Sequence, residues 1–282
     1  MEYEKQNNGI LIKNNKYFNP QHILKCGQIF RFTEQKGGSF VVYSKDMFAI
    51  IKSIEDGFFI ETKNVDYFEE FFDLKTDYEK IEKRISNAEI VCKAVEFGRG
   101  LRLIKNDFYE IIFSFVISAN NNISRIKKII EKLCVGAGSK IEEGKFAFPT
   151  LEELLNKDLG FFEDLGAGYR GKYLFKLSRQ LKDFDIKCFD GLSTREARKL
   201  LISFAGVGPK VADCILLFAL NRKDVFPVDT WIESVYHKYF ESGLKNRVKI
   251  ADFLVEKFGE DSGYVQQFLF YAQREIGKAD IV

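Results

Sequence analysis

The chain is organised around the stretch Leu200-Leu-Ile-Ser-Phe-Ala-Gly-Val-Gly-Pro-Lys-Val-Ala-Asp-Cys-Ile-Leu-Leu-Phe-Ala-Leu220. Apolar residues recur at helical spacing on both sides of its centre, which predicts two helices. Between them, Gly206 and Gly208 allow backbone angles that residues with a Cβ resist. Pro209 suits the first turn of the second helix, where its missing N–H costs nothing. The stretch therefore predicts a helix, a tight hairpin and a second helix.

Lys210 interrupts the apolar pattern of the second predicted helix. It places a cation in the first helical turn, where the dipole favours a carboxylate instead. A residue that opposes its local preference is a candidate for function. The dipole and partial burial both disfavour the ammonium form and are expected to lower the pKa of Lys210, whereas a nearby carboxylate would raise it.

The composition is that of a globular protein with two or three sub-domains. Hydrophobic residues make up 46% of the 282 residues, charged residues make up 30%, and the formal net charge is +2. So small a charge excludes a polycation that coats nucleic acid, so any nucleic-acid surface must be a local basic face. A polar N-terminus and the lack of a long apolar run predict a cytoplasmic protein without membrane contact.

The cysteine pattern excludes several kinds of site. The chain has five cysteines with no CxxC pair: Cys26, Cys92, Cys134, Cys188 and Cys214. Their odd number and spacing indicate a reducing compartment and argue against a disulfide framework. They also argue against a cysteine-ligated zinc or iron–sulfur site, and two histidines cannot supply a His-rich metal centre. We therefore expect no metal site.

The predicted fold class is α+β, because the residue pattern changes along the chain. Short strand-like runs separated by turn pairs such as Gly37-Gly38 predict an antiparallel sheet. These runs are Ile10–Ile12, Ile29–Thr33, Phe40–Tyr43, Phe48–Ile51 and Phe58–Glu61. After Val65 almost every segment has helical periodicity, including Phe108–Ile117 and a helix that starts near Thr150.

Three domains are expected from these changes in pattern. An antiparallel β-sheet domain with flanking helices occupies 1–95 and a helical domain occupies 96–190. A third domain at 191–282 carries the helix-hairpin-helix motif and the C-terminal helices. The mostly α-helical part thus forms two lobes after the sheet.

Two polar clusters interrupt the helical region. Ser118–Arg125 contains three consecutive asparagines, and Gly166–Lys172 joins glycines to Tyr169 and Arg170, both of which we expect to be exposed. Solvated turns account for both clusters. Aromatic and guanidinium groups beside basic residues also suit contact with nucleic acid.

Several single residues have a structural explanation beside a functional one. Asp229 follows an apolar run and precedes a helical pattern, as a helix N-cap does. One of its carboxylate oxygens can cap the helix while the other faces a cleft. Gln266 and Phe270 lie four residues apart on one helix face, where core packing is typical of Phe270. Gly27 is consistent with a turn before an aromatic-rich segment.

The chemistry of Lys210 suggests a class of substrate. A neutral amine can attack an electrophilic carbon and form a Schiff base, and a nearby carboxylate can stabilise an oxocarbenium-like transition state. The backbone N–H groups of Gly206 and Gly208 can hold a phosphate. A phosphate-binding hairpin that presents a nucleophilic lysine suggests a reaction at a deoxyribose in DNA.

The motif Gly206-Val-Gly-Pro-Lys-Val-Ala-Asp213, followed by Pro227-Val-Asp229, resembles the helix-hairpin-helix DNA glycosylase superfamily with its Gly/Pro-rich loop and aspartate. More narrowly, nearly the whole chain looks like an 8-oxoguanine DNA glycosylase/AP lyase. The resemblance implies that Lys210 is the nucleophile whose Schiff base leads to β-elimination. It implies that Asp229 is the catalytic carboxylate.

The same resemblance implies a binding site for the damaged base. Cys214 matches a cysteine on one face of the flipped base, and Phe270 matches the aromatic residue on the other face. Gln266 matches the residue that hydrogen-bonds the Watson–Crick edge. Gly27 matches a glycine whose carbonyl accepts a hydrogen bond from the oxidised imidazole edge. Since oxidation turns a ring-nitrogen acceptor into an N–H donor, this carbonyl favours the lesion over normal guanine.

The resemblance also implies contacts with the DNA strand opposite the lesion. Four residues match positions that fill the gap left by base flipping and read the orphaned cytosine: Asn120, Arg125, Tyr169 and Arg170. Two positions depart from the family pattern. Trp231 stands where the best-known members carry a histidine that contacts a phosphate, and Pro209 replaces a small polar residue. The first of these changes concerns the phosphate contact and the grip on DNA, and not the chemistry.

We therefore expect a bifunctional glycosylase/AP lyase that excises 8-oxoguanine, preferably opposite cytosine, from double-stranded DNA. We expect a monomer in the cytoplasm, associated with the nucleoid through DNA binding, without cofactor or iron–sulfur cluster. The branch with a cluster needs four cysteines near the C-terminus, and none follows Cys214. Two alternatives are an alkylpurine glycosylase, which shares the aspartate but lacks the lysine, and a non-catalytic helix-hairpin-helix DNA-binding protein in which Lys210 only contacts phosphate.

Overall fold

The computed structural model describes residues 1–13, 15–240, 243–277 and 280–281. Its N-terminal part is a six-stranded antiparallel sheet with the strand order β1-β2-β6-β5-β4-β3. The strands are β1 (Glu2–Gln6), β2 (Gly9–Lys13), β3 (Phe32–Glu34), β4 (Phe40–Ser44), β5 (Met47–Ile54) and β6 (Gly57–Glu61). Gly37 and Gly38 both have positive φ in the turn between β3 and β4, where glycine is favoured. The predicted antiparallel sheet is confirmed.

The helices occupy most of the remaining chain. They are α1 (Pro20–Lys25), α2 (Val65–Phe71), α3 (Tyr78–Ile85), α4 (Glu89–Phe97), α5 (Phe108–Ser118), α6 (Ile123–Ala137), α7 (Leu151–Leu155), α8 (Leu159–Asp164), α9 (Arg170–Gln180), α10 (Thr194–Ile202), α11 (Pro209–Phe218), α12 (Thr230–Tyr239), α13 (Arg247–Phe258) and α14 (Ser262–Ile276). A small hairpin, β7 (Lys140–Glu142) with β8 (Lys145–Phe146), follows α6. Thr150 begins α7 through a reciprocal capping box with Glu153, as expected for a helix that starts there. The α+β class is thus confirmed.

The predicted strand Ile29–Thr33 is wrong at its beginning. The strand starts only at Phe32, and the preceding residues form a loop after α1, a helix that the sequence did not predict. Ile29 packs in the core of the sheet, whereas Phe30 packs in the helical core. Gln28 is fully buried and donates to the carbonyls of Ile23 and Arg102. The segment is apolar because it joins two cores, so its residues do not alternate as a strand does.

The helical core brings distant parts of the chain together. Helix α5 is buried nearly all round and packs against α6, α9 and α11. Helix α14 packs against α4, α12 and α13, so the C-terminal helix contacts the part of the chain that follows the sheet. Nothing among the described helices is long and apolar enough to cross a membrane. The expected domain boundaries near residues 95 and 190 stay a prediction.

Candidate active site

The hairpin between α10 and α11 needs glycine at one of its two predicted positions. Gly206 has φ +81°, and a Cβ there would lie 2.9 Å from Val116 Cγ1 and 3.0 Å from Tyr173 Cβ. Gly208, the N-cap of α11, has φ −92° and ψ 177°, and a Cβ there would meet open space. The expectation of unusual backbone angles is therefore right for Gly206 and wrong for Gly208, whose extended conformation any residue can adopt.

This difference predicts a contrast in stability. Gly206→Ala should lower the free energy of unfolding by about 1–3 kcal/mol, because it adds both backbone strain and a steric clash. Gly208→Ala should lower it by less than about 1 kcal/mol, since it adds neither and loses only the preference for glycine over alanine at an N-cap. Thermal or urea unfolding of the two variants measures the difference, and equal stability would contradict the assigned hairpin geometry.

Lys210 lies in the first turn of α11, where no acidic residue accompanies it. Its Nζ is 5.2 Å from the centroid of the Phe115 ring, a cation–π distance. Cys214 follows one turn later in α11, close enough for its side chain to act on the pKa of Lys210. The helix thus presents the amine beside an aromatic ring and a thiol, at the mouth of the hairpin.

The pKa of Lys210 is raised, so the lowering expected from the dipole and from burial does not prevail. Burial acts to lower the pKa, but the neighbouring Cys214 and Asp229 side chains outweigh burial and raise it. Burial also raises the pKa of the Cys214 thiol, to about 11, so the thiol is neutral at pH 7. The Asp229 carboxylate, and after it that of Asp213, therefore favours the protonated amine, and a nucleophilic role would require loss of that proton first.

Asp229 caps α12 and also faces the site. Its Oδ1 accepts hydrogen bonds from the backbone N–H groups of Trp231 and Ile232, each at 3.0 Å. Within the described residues, Oδ2 has no hydrogen-bond partner, and Asp229 lines two adjoining cavities with Lys210. One oxygen therefore fixes the carboxylate while the other remains available, which confirms the N-cap interpretation.

The predicted base-binding residues meet in one cavity of about 20 Å³. It is lined by Gly27, Cys214, Gln266 and Phe270 together with Lys210 and Asp229. These residues come from the loop after α1, from α11, from α12's N-cap and from α14. A space of this size holds about one water molecule and no purine. The walls must separate before a base can enter.

Gln266 holds an unsatisfied acceptor inside this cavity. Its Nε2 donates to the Pro227 carbonyl at 3.3 Å, and its side chain is buried. Its Oε1 is buried without a hydrogen-bond partner in the described part of the chain. Leaving a buried acceptor unpaired is costly, so its position favours a ligand that supplies an N–H donor.

Sequence reasoning missed Phe115, which also lines the cavity. Its ring stacks on Phe218 with centroids 5.6 Å apart and an interplanar angle of 17°. The residue lies in a helix that is apolar nearly all round, so no pattern distinguishes it from core packing. Only the tertiary contact between α5 and α11 shows its place beside Lys210.

The two polar clusters lie against each other and form a second surface. Asn120 is exposed with φ +48°, a conformation that asparagine tolerates better than most residues. Arg125 is exposed, and its Nη2 donates to the Gly166 carbonyl at 2.9 Å. Tyr169 is 55% exposed and contacts the Tyr173 ring edge-on at 5.8 Å. Three of the four predicted opposite-strand residues are thus brought together at the surface.

Arg170, the fourth, is buried, and the expectation that it is exposed is wrong. It is only 4% exposed and donates to the backbone carbonyls of Ala119 at 2.7 Å, Ala167 at 3.1 Å and Asn120 at 2.8 Å. The end of α5 leaves carbonyls without helical partners, and the guanidinium satisfies them. Arg170 therefore holds the backbone of the Asn120 turn through these hydrogen bonds.

A larger cavity of about 600 Å³ adjoins the small one and shares Lys210 and Asp229 with it. Its walls include the hairpin glycines Gly206 and Gly208, as well as Asn120. Trp231 and Arg247 also line it, and Arg247 pairs with Glu233 at 2.7 Å. One groove is therefore lined by the hairpin, Lys210 and the Asn120 turn. It leads to the residues that are predicted to bind the base. Arg125 and Tyr169 lie outside the lining of this groove.

Comparison with known proteins agrees with this geometry. Residues 113–260, more than half of the chain, match the family model described as HhH-GPD superfamily base excision DNA repair protein. The chain belongs to the HhH-GPD superfamily. Residues 10–112 match the model for the N-terminal domain of 8-oxoguanine DNA glycosylase. Within the HhH-GPD superfamily, the chain is therefore an 8-oxoguanine-glycosylase-type member.

Relatives of this HhH-GPD protein cover much of its length. It is 33% identical over 236 residues to a probable N-glycosylase/DNA lyase of Methanothermobacter thermautotrophicus, covering 75% of each chain. It resembles the crystal structure of Clostridium acetobutylicum 8-oxoguanine glycosylase/lyase in complex with double-stranded DNA, with a TM-score of 0.91, 36% identity and 98% of each chain covered. A 3-methyladenine DNA glycosylase of Archaeoglobus fulgidus shares the fold alone, with a TM-score of 0.75 and 17% identity over 94% of this chain and 98% of that chain.

Proposed function

We propose that the protein is a bifunctional DNA glycosylase/AP lyase that excises 8-oxoguanine from duplex DNA. The observation that carries this proposal is the cavity in which Gly27, Gln266 and Phe270 meet Lys210 and Asp229. One set of residues suits an oxidised purine, and the other suits attack at its sugar. Such a site can act only on a base that has left the helix.

The proposed reaction begins when the damaged nucleotide enters the groove and its base parts the walls of the small cavity. Lys210 loses a proton, and its Nζ forms a bond to C1′ of the deoxyribose while the bond from C1′ to the base breaks. The base leaves with the electron pair of that bond and takes up a proton. Asp229 Oδ2 stabilises the oxocarbenium-like charge on the sugar.

The second step follows from the covalent intermediate. The nitrogen lone pair of Lys210 forms the second bond to C1′ as the C1′–O4′ bond breaks, and O4′ takes up the proton that the nitrogen loses. The resulting imine acidifies the hydrogens on C2′. Loss of a C2′ proton expels the 3′ phosphate as C3′–O breaks, so the strand is cleaved on the 3′ side of the lesion. Hydrolysis of the imine then frees the lysine.

Selection of the lesion is proposed to rest on the Gly27 carbonyl and on Gln266. The carbonyl accepts a hydrogen bond from the N–H that oxidation creates, whereas normal guanine would oppose it with a lone pair. Gln266 Oε1 is the buried acceptor available for N–H donors on the Watson–Crick edge.

The test is excision from three labelled duplexes that contain 8-oxoguanine, guanine or an alkylated purine, in each case opposite a pyrimidine partner. We expect release of 8-oxoguanine at least about a hundredfold faster than release of guanine. Faster release of the alkylated purine would favour the alkylpurine alternative. Binding without release of any base would favour the non-catalytic alternative.

Preference for cytosine opposite the lesion is proposed to depend on Arg125, which is exposed beside Asn120 and Tyr169. Arg125→Ala should reduce the ratio of excision rates for cytosine against adenine opposite the lesion by about tenfold, because a donor pair to the base is lost. Single-turnover rates on the two duplexes measure this ratio. An unchanged ratio would assign opposite-base reading to other residues.

The remaining features of the proposal concern assembly and location. We propose that the protein acts on DNA as a monomer in the cytoplasm, at the nucleoid. We propose that it uses neither a cofactor nor an iron–sulfur cluster, in keeping with its five dispersed cysteines.

A further inference from the structure

The turn that carries Gly27 is held by two side chains of α14. Gln267 Nε2 donates to the Cys26 carbonyl at 2.8 Å, and Arg274 Nη2 donates to the Lys25 carbonyl. Positions 267 and 274 are seven residues apart, so they lie on the same face of the helix. Both carbonyls belong to the end of α1, where helical partners run out. The C-terminal helix therefore replaces the missing hydrogen bonds of α1.

The next carbonyl along the chain, that of Gly27, is left free. Within the described residues, no donor reaches it, although the two carbonyls before it are satisfied. Gly27 has φ +85°, and a Cβ there would lie 3.1 Å from Phe270 Cε1 and 3.0 Å from Arg274 Nη1. The turn thus packs against α14, its Gly27 carbonyl is free, and Gly27 lines the cavity.

Arg274 contacts both walls of that cavity. Its guanidinium carbon lies 5.5 Å from the centroid of the Phe270 ring, and the same guanidinium binds Lys25 on the Gly27 turn. Its side chain is only 12% exposed, and Glu275 holds it at 2.7 Å. Nη1 is buried beside Gly27 without a hydrogen-bond partner in the described chain. Arg274 thus leaves one hydrogen-bond donor unsatisfied, while its other contacts fix the Gly27 turn relative to the Phe270 ring.

We propose that Arg274 is a specificity-determining positioning residue, which sets the Gly27 carbonyl and the Phe270 ring at the spacing an oxidised purine requires. This inference rests on the proposed excision of 8-oxoguanine. Gln267 supports the same turn through its neighbouring carbonyl. Arg274 is not among the residues that line the cavity with Lys210 and Asp229, so it acts through Gly27 and Phe270.

A positioning role predicts different effects on base excision and on cleavage at an abasic site. Excision needs the base to be held between fixed walls, so a looser Gly27 turn slows it and weakens the contrast with guanine. Cleavage at an existing abasic site has no base to hold and needs only the lysine and the sugar. Loss of Arg274 should therefore affect the first activity and spare the second.

The experiment compares wild type with Arg274→Ala on two duplexes, one with 8-oxoguanine and one with a preformed abasic site. We expect single-turnover excision to fall at least about tenfold and abasic-site cleavage to change by less than about twofold. Arg274→Lys keeps one donor for the Lys25 carbonyl and should recover most of the excision rate.

Arg179→Ala is the matched control. Arg179 donates to the carbonyls of Leu154, Leu155 and Lys157 and lies 4.3 Å from the Phe175 ring centroid, so it makes the same kinds of contact away from the cavity. It should leave the ratio of the two activities unchanged.

Two results would overturn the inference. One is wild-type excision by Arg274→Ala, and the other is an equal fall of both activities, which would indicate a general loss of folded structure. Failure of the proposed function is distinguishable, because wild type itself would then release no 8-oxoguanine.

Discussion

Lys210→Gln is expected to abolish strand cleavage at a preformed abasic site, with a loss of at least about a thousandfold. Glutamine keeps a polar side chain, one atom shorter, but its amide nitrogen cannot form an imine. The fold should persist, because Lys210 keeps some exposure to solvent and no salt bridge joins it to a carboxylate among the described residues. Cleavage of a labelled abasic duplex measures the effect.

Lys223 supplies a demanding control for this substitution. Burial lowers its pKa to about 8, so its amine is the more readily deprotonated of the two lysines. It lies 5.5 Å from the Tyr264 ring, and neither cavity at the site includes it. Lys223→Gln should cleave as wild type does. If Lys210→Gln retained cleavage and Lys223→Gln lost it, the nucleophile would have been misassigned.

Asp229→Asn is expected to reduce excision of 8-oxoguanine by about a hundredfold to a thousandfold while leaving stability nearly unchanged. Asparagine is as good an N-cap as aspartate, so the Oδ1 hydrogen bonds to Trp231 and Ile232 persist. The charge that faces Lys210 and the sugar is lost. Single-turnover excision and thermal unfolding, measured on the same preparation, separate the two roles.

Asp158 provides the matched control for this change. It is the N-cap of α8 and accepts a hydrogen bond from the Phe161 N–H at 2.9 Å, without lining either cavity at the site. Asp158→Asn should leave both excision and stability close to wild type. Full excision activity in Asp229→Asn would show that its carboxylate serves only as a helix cap.

The sequence predicts those parts of the site that depend on local structure. The hairpin, the placement of Lys210 in a first helical turn and the capping by Asp229 each depend on a few consecutive residues. Local rules decide such features, because dihedral preferences and helix ends act over one or two turns. The direction of the Lys210 pKa shift could not be decided locally, because Asp229, nineteen positions later in the sequence, acts on it.

The cavity proposed to bind the base depends instead on tertiary packing. Gly27, Cys214 and Gln266 meet only because α14 lies against the end of α1 and beside α11. No periodicity in the sequence indicates that meeting, and only the family resemblance suggested it. Phe115 and Arg274 escaped notice for the same reason, since an apolar helix and a C-terminal arginine are ordinary features. Arg170 was placed at the surface because a sequence does not show which helix end will bury a guanidinium.

The most direct test of the account is borohydride trapping on an 8-oxoguanine:cytosine duplex, followed by mass spectrometry of the digested adduct. Reduction of the imine converts it to a stable amine that marks the attacking residue. We predict a covalent adduct of wild type with DNA at Lys210, and no adduct from Lys210→Gln. An adduct at another lysine, or base release without any adduct, would contradict the proposed mechanism.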